Sequence, residues 1–160
     1  MSSRTGIGYD SHRFAAGRRL ILGGVPIDHD QGLEGHSDAD VLTHAIIDAL
    51  LGAAGLGDIG QHFPDTDDRF RDADSLELLR TTMGMLAQAG LEITNVDATI
   101  VTERPAIGPH REAMRAALAQ ALGTDPGRVN IKATRGEGMG FIGRGEGAAV
   151  LAVATLRPAQ

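Results

Sequence analysis

The sequence predicts one α/β domain over residues 1–160. Five strand-like segments and three segments of helical periodicity follow one another, and the helical segments carry capping residues at their ends. No internal repeat, low-complexity tract or linker divides the chain. Hydrophobic residues make up 42% but aromatic residues only 3%. The core must therefore be built mainly from alanine, leucine, isoleucine and valine.

Charge and composition limit the function classes. The net charge is −6 and no basic run occurs, so we expect no nucleic-acid partner. No apolar run is long enough to span a membrane, and residues 1–6 lack an apolar signal region, so we expect no membrane partner. The chain has no cysteine, so a metal ion must be held by histidine and carboxylate side chains. The absence of cysteine suits the reducing environment of the cytoplasm.

The N-terminal third predicts two strands, a loop and a helix. The strands are Thr5–Phe14 and Arg19–Ile27, and Asp28–Gly35 is a polar loop. The segment Ser37-Asp38-Ala39-Asp40 has the Ser-x-x-Asp form of a helix start. It predicts a helix from Ser37 to about residue 54, ended by Gly55.

This first helix is apolar on two sides. Six residues at helical spacing form a core stripe: Leu42, Ala45, Ile46, Ala49, Leu50 and Ala53. Ile47 and Leu51 fall on the opposite side. A helix that is apolar on both sides has protein on both sides. The second neighbour is either another subunit or a further layer of the same chain.

The rest of the chain predicts a binding loop followed by alternating helices and strands. Residues 56–74 lack periodicity and are too long for a simple connection, which favours a binding loop. A second helix opens with the capping box at Asp74 and stops at Gly90, and a third covers Pro109–Leu122 and is stopped by Gly123. The later strands are Val96–Val101, Val129–Thr134 and Ala148–Leu156, and the glycine-rich loop Arg135–Gly147 separates the last two.

Three residues form a candidate zinc site. Asp10 and His12 are two apart in a strand, so their side chains share one face, and His44 lies on the first helix away from its core stripe. One carboxylate and two imidazoles leave a fourth position on zinc for water or a substrate. The alternative is a surface Asp-x-His pair and an unrelated exposed histidine, because spacing alone does not show convergence.

Two further segments have competing interpretations. His36 and Ser37 precede the first helix, where backbone N–H groups favour a phosphate, although Ser37 or Asp38 also serves as an ordinary cap beside a solvated His36. The segments Asp58–Gly60 and Phe63–Asp67 are rich in carboxylates and hydroxyls. They suit polyol groups or the orientation of metal ligands, but the same residues are typical of turns.

The glycine-rich loop is a candidate phosphate site. Its glycines let backbone N–H groups approach phosphate oxygens, Arg135 and Arg144 offer charged donors, and Glu137 is suited to Mg²⁺. The Gly-Lys-Ser/Thr of a nucleotide-binding P-loop is absent. The alternative interpretation is a flexible hairpin loop.

Taken together, these motifs resemble the 2-C-methyl-D-erythritol 2,4-cyclodiphosphate synthase family. The matching stretches occur in family order along nearly the whole chain: Gly8-Tyr9-Asp10-Ser11-His12-Arg13-Phe14, Gly35-His36-Ser37-Asp38-Ala39-Asp40-Val41, His44 through Asp67, Asn95-Val96-Asp97, Val129 through Thr134, and Gly140 through Gly147. Each motif alone is weak, but the ordered set is specific.

The resemblance implies a two-layer α+β sandwich in which helices cover one face of a mixed β-sheet, packed as a homotrimer around a threefold axis with active sites between subunits. It implies Zn²⁺ on Asp10, His12 and His44, and Mg²⁺ or Mn²⁺ on the substrate diphosphate with Glu137. It implies catalytic roles for His36 and Arg135. The implied substrate-binding residues are Ser37, Asp58, Ile59, Gly60, Phe63, Pro64, Asp65, Thr66, Asp67, Phe141 and Arg144, and the nucleotide-binding residues are Thr102, Glu103, Arg104, Pro105, Ala106, Ile107, Gly108, Thr134, Gly136 and Glu137.

The implied enzyme is a phosphorus–oxygen lyase of the non-mevalonate isoprenoid pathway. It converts 4-diphosphocytidyl-2-C-methyl-D-erythritol 2-phosphate to the cyclic diphosphate and releases CMP. The chain departs from the family pattern at Arg135 and Gly136, where threonine or asparagine is usual, and at Ala106, where lysine is frequent. Two rival functions are a zinc-dependent phosphohydrolase and a non-catalytic trimeric module held by a structural metal. The rarity of three-ligand structural zinc sites counts against the second rival.

Overall fold

The computed structural model describes residues 2–160 and contains seven strands and five helices in that range. The strands are β1 (Arg4–Ala15), β2 (Leu20–Leu22), β3 (Val25–Ile27), β4 (Gly32–Leu33), β5 (Leu91–Val101), β6 (Val129–Thr134) and β7 (Gly147–Pro158). The helices are α1 (Val41–Ala54), α2 (Ile59–His62), α3 (Ser75–Gln88), α4 (Arg111–Leu122) and α5 (Gly140–Gly143).

Five of the strands form one mixed sheet in the order β4-β1-β7-β5-β6. The pairs β4–β1, β1–β7 and β7–β5 are antiparallel, whereas β5 and β6 are parallel. Helices α1, α3 and α4 contact the sheet through β1, β5, β6 and β7. The prediction of a mixed sheet with helices is therefore confirmed. Strands β2 and β3 form a separate two-stranded hairpin.

Helix α1 packs directly on the backbone of β1. A Cβ atom added to Gly8 would lie 1.9 Å from the carbonyl oxygen of Ala45, and one added to Gly6 would lie 2.1 Å from that of Ala49. Only glycine permits so close an approach of two main chains. Side chains at alternate strand positions share a face, so Asp10 also projects toward the helix layer.

The opposite face of the sheet exposes an apolar patch. Ile7 and Tyr9 on β1 are 68% and 54% exposed, and Leu151 and Val153 on β7 are 45% and 39% exposed. Register pairs Ile7 with Val153 and Tyr9 with Leu151, so the four side chains are cross-strand neighbours in the middle of the sheet. We call these four residues the outer apolar patch.

The apolar residues on both sides of α1 are buried within a single chain. Ile47 and Leu51 are fully buried. The helix contacts β1 and β7 of the sheet and also α3, which lies on another side. Of the two neighbours considered for the second side, a further layer of the same chain is therefore the correct one. No second subunit is needed to explain this pattern.

The predicted start of α1 at Ser37 is wrong. The helix begins at Val41, and its N-cap is Asp40. Ala39 has a positive φ of 57°, which interrupts any helix begun earlier. The buried Asp40 carboxylate accepts hydrogen bonds from the backbone N–H and hydroxyl of Thr43 and from the N–H groups of Gly23 and Gly24. These long-range bonds outweigh the local Ser-x-x-Asp signal.

The predicted strand Arg19–Ile27 is also wrong, because it is a hairpin of two strands. Gly23 and Gly24 have φ values of 58° and 73° and form the turn between β2 and β3. Burial of the Asp40 carboxylate raises its pKa, and its hydrogen bonds to Thr43 and Gly24 partly offset this rise. The hairpin turn is thus fastened to the start of α1 by a buried carboxylate.

The predicted start of β5 at Val96 is also wrong, because the strand begins at Leu91, where it pairs with Pro158 of β7. The other boundaries agree with the sequence to within two residues, and short elements are added. Gly55 and Gly123 end α1 and α4 in left-handed conformations, as predicted, and Asp74 caps α3. Three predicted loops contain short elements: β4 within residues 28–35, α2 and a 3-10 turn within 56–74, and α5 within the glycine-rich loop. Among residues 2–160, no helix combines the length and apolar character that a membrane crossing requires.

Candidate metal centre and active-site pocket

Asp10, His12 and His44 converge at one point between β1 and α1. Asp10 Oδ2 lies 2.8 Å from His12 Nε2 and 3.1 Å from His44 Nδ1. One ligand atom from each residue lies within 4.8 Å of the others. Among residues 2–160 this is the one group of three potential metal ligands, and Glu137 is not part of it. The convergence left open by the sequence is therefore present in the structure.

The three residues perturb one another electrostatically. Burial by itself raises the pKa of Asp10, but hydrogen bonds and charge from His12 and His44 lower it more, to about 2. Burial lowers the pKa of His12, and the Asp10 carboxylate overcomes this and raises it above the usual 6.5. The carboxylate is thus ionised at neutral pH, as a metal ligand requires.

The donor set fits a divalent metal such as Zn²⁺. Two imidazole nitrogens and one carboxylate oxygen match the ligands that zinc takes in catalytic sites. His12 Nδ1 lies 2.7 Å from the carbonyl oxygen of Glu34, so it carries the proton and leaves Nε2 free to ligate. Such hydrogen bonds on the far side of a ligand histidine are typical of metal sites.

We expect the affinity for Zn²⁺ to fall as the pH drops from about 8 to about 6. A protonated imidazole cannot bind a metal, and the raised pKa of His12 lets protons compete at pH values where an ordinary histidine is neutral. Chelator-competition titrations at several pH values measure this directly. An affinity that stays constant across this range would contradict the prediction.

In the metal-free protein, the raised pKa of His12 has the opposite consequence for stability, because low pH then favours the folded state. Because the folded state raises the pKa of His12, protonation stabilises the fold below pH 6.5, and this contribution is lost as the pH rises through the raised pKa. The increase in melting temperature caused by Zn²⁺ should therefore be larger at about pH 8 than at about pH 6. Thermal melts with and without Zn²⁺ provide the second measurement.

The cluster opens into a cavity of about 420 Å³. Ten of the sequence-predicted site residues line this cavity: Asp10, His12, His36, Ser37, His44, Ile59, Gly60, Phe63, Pro64 and Asp65. Its other walls are Tyr9, Gly35, Asp48, Phe70 and Leu78. The end at the histidine and carboxylate cluster is polar, and the lining also includes Phe63 and Phe70, whose ring centroids lie 5.5 Å apart. The cavity therefore suits a ligand with both anionic and apolar groups.

The loop between α1 and α3 is tied to this polar end. His36 Nε2 lies 3.0 Å from the carbonyl oxygen of Asp67, and the Asp72 N–H donates to the carbonyl of His36. Asp58, Thr66 and Asp67 do not line the cavity but lie in the same loop. Asp58 caps α2, so its predicted turn chemistry is present.

Sequence analysis missed Asp48 as a cavity residue. It lies on α1, one turn after His44, and its Oδ1 accepts a hydrogen bond from the N–H of Ile59 at 3.1 Å. Residues four apart on a helix share a face, so the spacing from His44 could have indicated it. Tyr9, Phe70 and Leu78 had no comparable signal, since their position depends on the packing of β1, the loop and α3.

The predicted nucleotide-binding residues lie on two neighbouring loops. Thr102–Gly108 follows β5, and Thr134–Glu137 begins at the last residue of β6. These parallel strands end at the same edge of the sheet, with Val101 opposite Thr134. Glu103 Oε1 accepts a hydrogen bond from the N–H of Gly136 at 2.6 Å. The two loops are therefore joined, and within the described chain neither lines the cavity at Asp10.

The glycine-rich loop contains the short helix α5 and is closely packed at Gly136. A Cβ atom on Gly136 would lie 2.8 Å from the backbone nitrogen of Gly143, so no side chain fits at this position. Arg135, Glu137 and Phe141 are exposed beside it. Phe141 lines a second cavity with His12, and Arg144 lines a third with Glu103 and Arg104. Phe141 and Arg144 thus line two different cavities, and neither of these is the cavity at Asp10.

Comparisons with known proteins identify the family. Residues 3–157 match the family model described as the YgbB family. This chain belongs to the YgbB family. The cluster of Asp10, His12 and His44 lies within the matched range, which covers almost the whole chain.

Three relatives illustrate the similarity. A "Bifunctional enzyme IspD/IspF" of an Anaeromyxobacter species is 62% identical over 94% of this YgbB-family chain, which spans 39% of that enzyme. A "2-C-methyl-D-erythritol 2,4-cyclodiphosphate synthase" of Geobacter sulfurreducens is 59% identical and covers 94% of this chain and 96% of the relative. A Plasmodium falciparum IspF solved as a CDP complex is 30% identical, with a TM-score of 0.88 over 99% of this chain and 98% of the other.

Proposed function

We propose that this chain converts 4-diphosphocytidyl-2-C-methyl-D-erythritol 2-phosphate to 2-C-methyl-D-erythritol 2,4-cyclodiphosphate and releases CMP. The observation that carries the proposal is the meeting of Asp10, His12 and His44 at the polar end of a 420 Å³ cavity in a YgbB-family chain. The synthase of Geobacter sulfurreducens, 59% identical, supports the activity. The CDP complex of the Plasmodium falciparum relative supports a cytidine diphosphate ester as substrate.

In the proposed reaction, an oxygen of the 2-phosphate attacks the β-phosphorus of the cytidyl diphosphate. The new P–O bond closes the ring, the bond to the bridging oxygen breaks, and that oxygen leaves on CMP. The nucleophile and the target are parts of one molecule, so a fixed in-line geometry supplies much of the acceleration. No protein nucleophile is required, and no water is consumed.

The chain must bring two anionic groups together. When bound at Asp10, His12 and His44, a Zn²⁺ ion supplies positive charge that offsets phosphate repulsion and polarises a phosphoryl oxygen. The hydrogen bond to Asp67 holds His36 at the cavity wall, where it would orient the reacting phosphate. The loop that contains Phe63 and Asp65 would exclude water and position the methylerythritol.

We propose that the nucleotide binds at the paired loops after β5 and β6. The link between Glu103 and Gly136 holds these loops together. Exposed Arg135 would donate to a phosphate in place of the usual threonine, and the exposed carboxylate of Glu137 would hold Mg²⁺ or Mn²⁺ on the diphosphate. Phe141 and Arg144 would contact the substrate from the same loop.

A homotrimer with active sites between subunits would join these two half-sites. The paired nucleotide loops of one subunit would complete the cavity of its neighbour. The outer apolar patch supports this proposal, because exposed apolar surface of this kind marks protein–protein contacts. The patch lies on the sheet face that the helices leave uncovered.

Replacing Leu151 in the outer apolar patch by glutamate should dissociate the trimer. Three charges would be buried close to the axis of the assembly, which is costly for unpaired carboxylates. Light scattering after size-exclusion chromatography measures the mass. Ala87→Glu, an exposed change on α3, is the matched control and should remain trimeric. A wild-type monomer, or a Leu151→Glu trimer, would contradict the assembly.

Two further assignments complete the proposal. Residues 1–160 would act as one cyclodiphosphate synthase domain, which the family match over residues 3–157 supports. The enzyme would be cytoplasmic, because a chain without cysteine needs no oxidising compartment for disulfide formation.

The decisive experiment is incubation with the cytidyl substrate, Zn²⁺ and Mg²⁺ in ¹⁸O-labelled water. We expect CMP and a cyclic diphosphate, neither containing ¹⁸O, identified by mass. A zinc phosphohydrolase would instead release labelled inorganic phosphate. Chelation should abolish CMP release while the trimer remains assembled. Loss of the trimer on chelation, without any activity in the untreated protein, would favour a structural metal module.

A further inference from the structure

Both nitrogens of the His44 imidazole lie within hydrogen-bond distance of side-chain oxygen atoms. Nδ1 lies 3.1 Å from Asp10 Oδ2 inside the metal cluster, and Nε2 lies 2.8 Å from the hydroxyl oxygen of Ser75. Ser75 is the first residue of α3 and is fully buried. A buried hydroxyl from a second helix therefore lies behind one of the three candidate ligands.

The direction of these hydrogen bonds follows from Asp38. Its carboxylate contacts the Ser75 hydroxyl through Oδ1 and accepts the Ser75 N–H through Oδ2 at 2.9 Å. A carboxylate only accepts, so the hydroxyl proton of Ser75 points toward Asp38. The Ser75 oxygen then presents a lone pair to His44, so Nε2 must carry the imidazole proton. In that tautomer Nδ1 and the ionised Asp10 carboxylate are two acceptors 3.1 Å apart, and a metal ion bound by both would satisfy them.

We propose that Ser75 and Asp38 are positioning residues that fix His44 in the tautomer and orientation of an Nδ1 metal ligand. The proposal rests on the metal-dependent function proposed above, and it concerns residues outside the predicted ligand and substrate sets. A neutral histidine ligates only through the nitrogen that lacks a proton, and its other nitrogen is fixed by its hydrogen-bond partner. Ser37 Oγ also lies 3.1 Å from Nε2, but in the described structure it has no carboxylate that orients its proton.

Asp38 connects this ligand to the substrate-pocket loop. Its backbone N–H donates to the carbonyl of Ala73 at 3.1 Å, while its side chain holds Ser75. Ala73 and Ser75 lie at the end of the loop that lines the 420 Å³ cavity. One residue thus fixes both the end of the pocket loop and the partner of His44.

The first test is the affinity of purified variants for Zn²⁺, measured by competition with a chromophoric chelator. Ser75→Ala should bind Zn²⁺ about 10–100-fold more weakly than wild type, because the far-side partner of a ligand histidine contributes about this much. Thr82→Val is the matched control. Thr82 is also a fully buried α3 hydroxyl, but it donates only to the carbonyl of Leu78, so its loss should leave the affinity unchanged.

Equal affinity in Ser75→Ala and wild type would overturn the inference, and so would equal weakening in Ser75→Ala and Thr82→Val. A wild-type chain that binds no Zn²⁺ would instead overturn the proposed metal-dependent function. The second measurement needs no variant at Ser75. Long-range ¹H–¹⁵N spectra of the Zn²⁺-loaded wild type at about pH 8, assigned with His44→Gln, should show the His44 proton on Nε2, with Nδ1 bound to the metal. A proton on Nδ1 would overturn the inference even if Ser75→Ala failed to fold.

Discussion

Replacing Asp10 by asparagine should slow CMP release by about a thousandfold or more. The substitution keeps the size of the side chain but removes the charge that joins His12 and His44 around one point. Loss of a Lewis-acid metal removes several kcal/mol of transition-state stabilisation, and each 1.4 kcal/mol corresponds to about a tenfold change in rate. Bound zinc, measured by elemental analysis, should fall from one ion per subunit to a trace.

Asp125→Asn provides the matched control for this experiment. It is the same chemical change at an exposed turn before β6, at the opposite end of that strand from the predicted nucleotide-binding loops. This variant should retain wild-type zinc content and turnover. Circular dichroism should show that both variants keep the fold. An Asp10→Asn enzyme with more than about a tenth of wild-type turnover would contradict a role for Asp10 as a ligand.

Replacing Gly8 by alanine should destabilise the protein by about 3 kcal/mol or more. The added Cβ would lie 1.9 Å from the Ala45 carbonyl oxygen and 2.7 Å from the Ala49 nitrogen, so either β1 or α1 must move. Overpacking of a core costs about 1–3 kcal/mol when side chains can adjust, and here the obstacles are backbone atoms. Denaturant unfolding measures the loss. The displaced helix should also carry His44 away from Asp10 and weaken zinc binding.

Two controls separate this close approach from a general effect of the mutation. Gly84→Ala, on the exposed side of α3 with no atom within 4 Å of the added Cβ, should stabilise the protein by about 0.5–1 kcal/mol. Ala45→Gly should not rescue Gly8→Ala, because the clash is with the Ala45 carbonyl and not with its side chain. Rescue by Ala45→Gly would show that side-chain packing sets the spacing.

Local signals predicted the ends of helices better than their beginnings. Gly55 and Gly123 end α1 and α4 because a left-handed C-cap depends on the residue itself. The start of α1 depends instead on bonds between Asp40 and a hairpin turn 16 and 17 positions away. Local signals favour Ser37 or Asp38 as the cap, and only the long-range contacts show that Asp40 caps the helix instead.

The metal centre could be predicted only in part from spacing. Alternation along a strand places Asp10 and His12 on one face, and this expectation is confirmed. Their meeting with His44 depends on how closely α1 approaches β1, which the glycines at positions 6 and 8 permit. Those glycines are visible in the sequence, but their role becomes clear only when the helix that faces them is known.

The joining of the two predicted nucleotide-binding loops could not be derived from the sequence pattern. Residues 102–108 and 134–137 are about thirty positions apart and became neighbours because β5 and β6 are parallel and adjacent. The strand-like segments of the sequence do not by themselves show which strands pair with each other or in which direction they run. The family resemblance grouped these residues, and the carboxylate of Glu103 supplies the physical link through Gly136.

The attachment of the β2–β3 turn to Asp40 has a practical consequence for engineering. Hairpin tips are normally good places to graft an epitope or to open a circular permutant, because little depends on their backbone. Here the amides of Gly23 and Gly24 bind the carboxylate that starts α1, so an insertion between them would unravel the first turn of that helix. The turn at Gly17, where nothing approaches an added Cβ within 4 Å, is the suitable site.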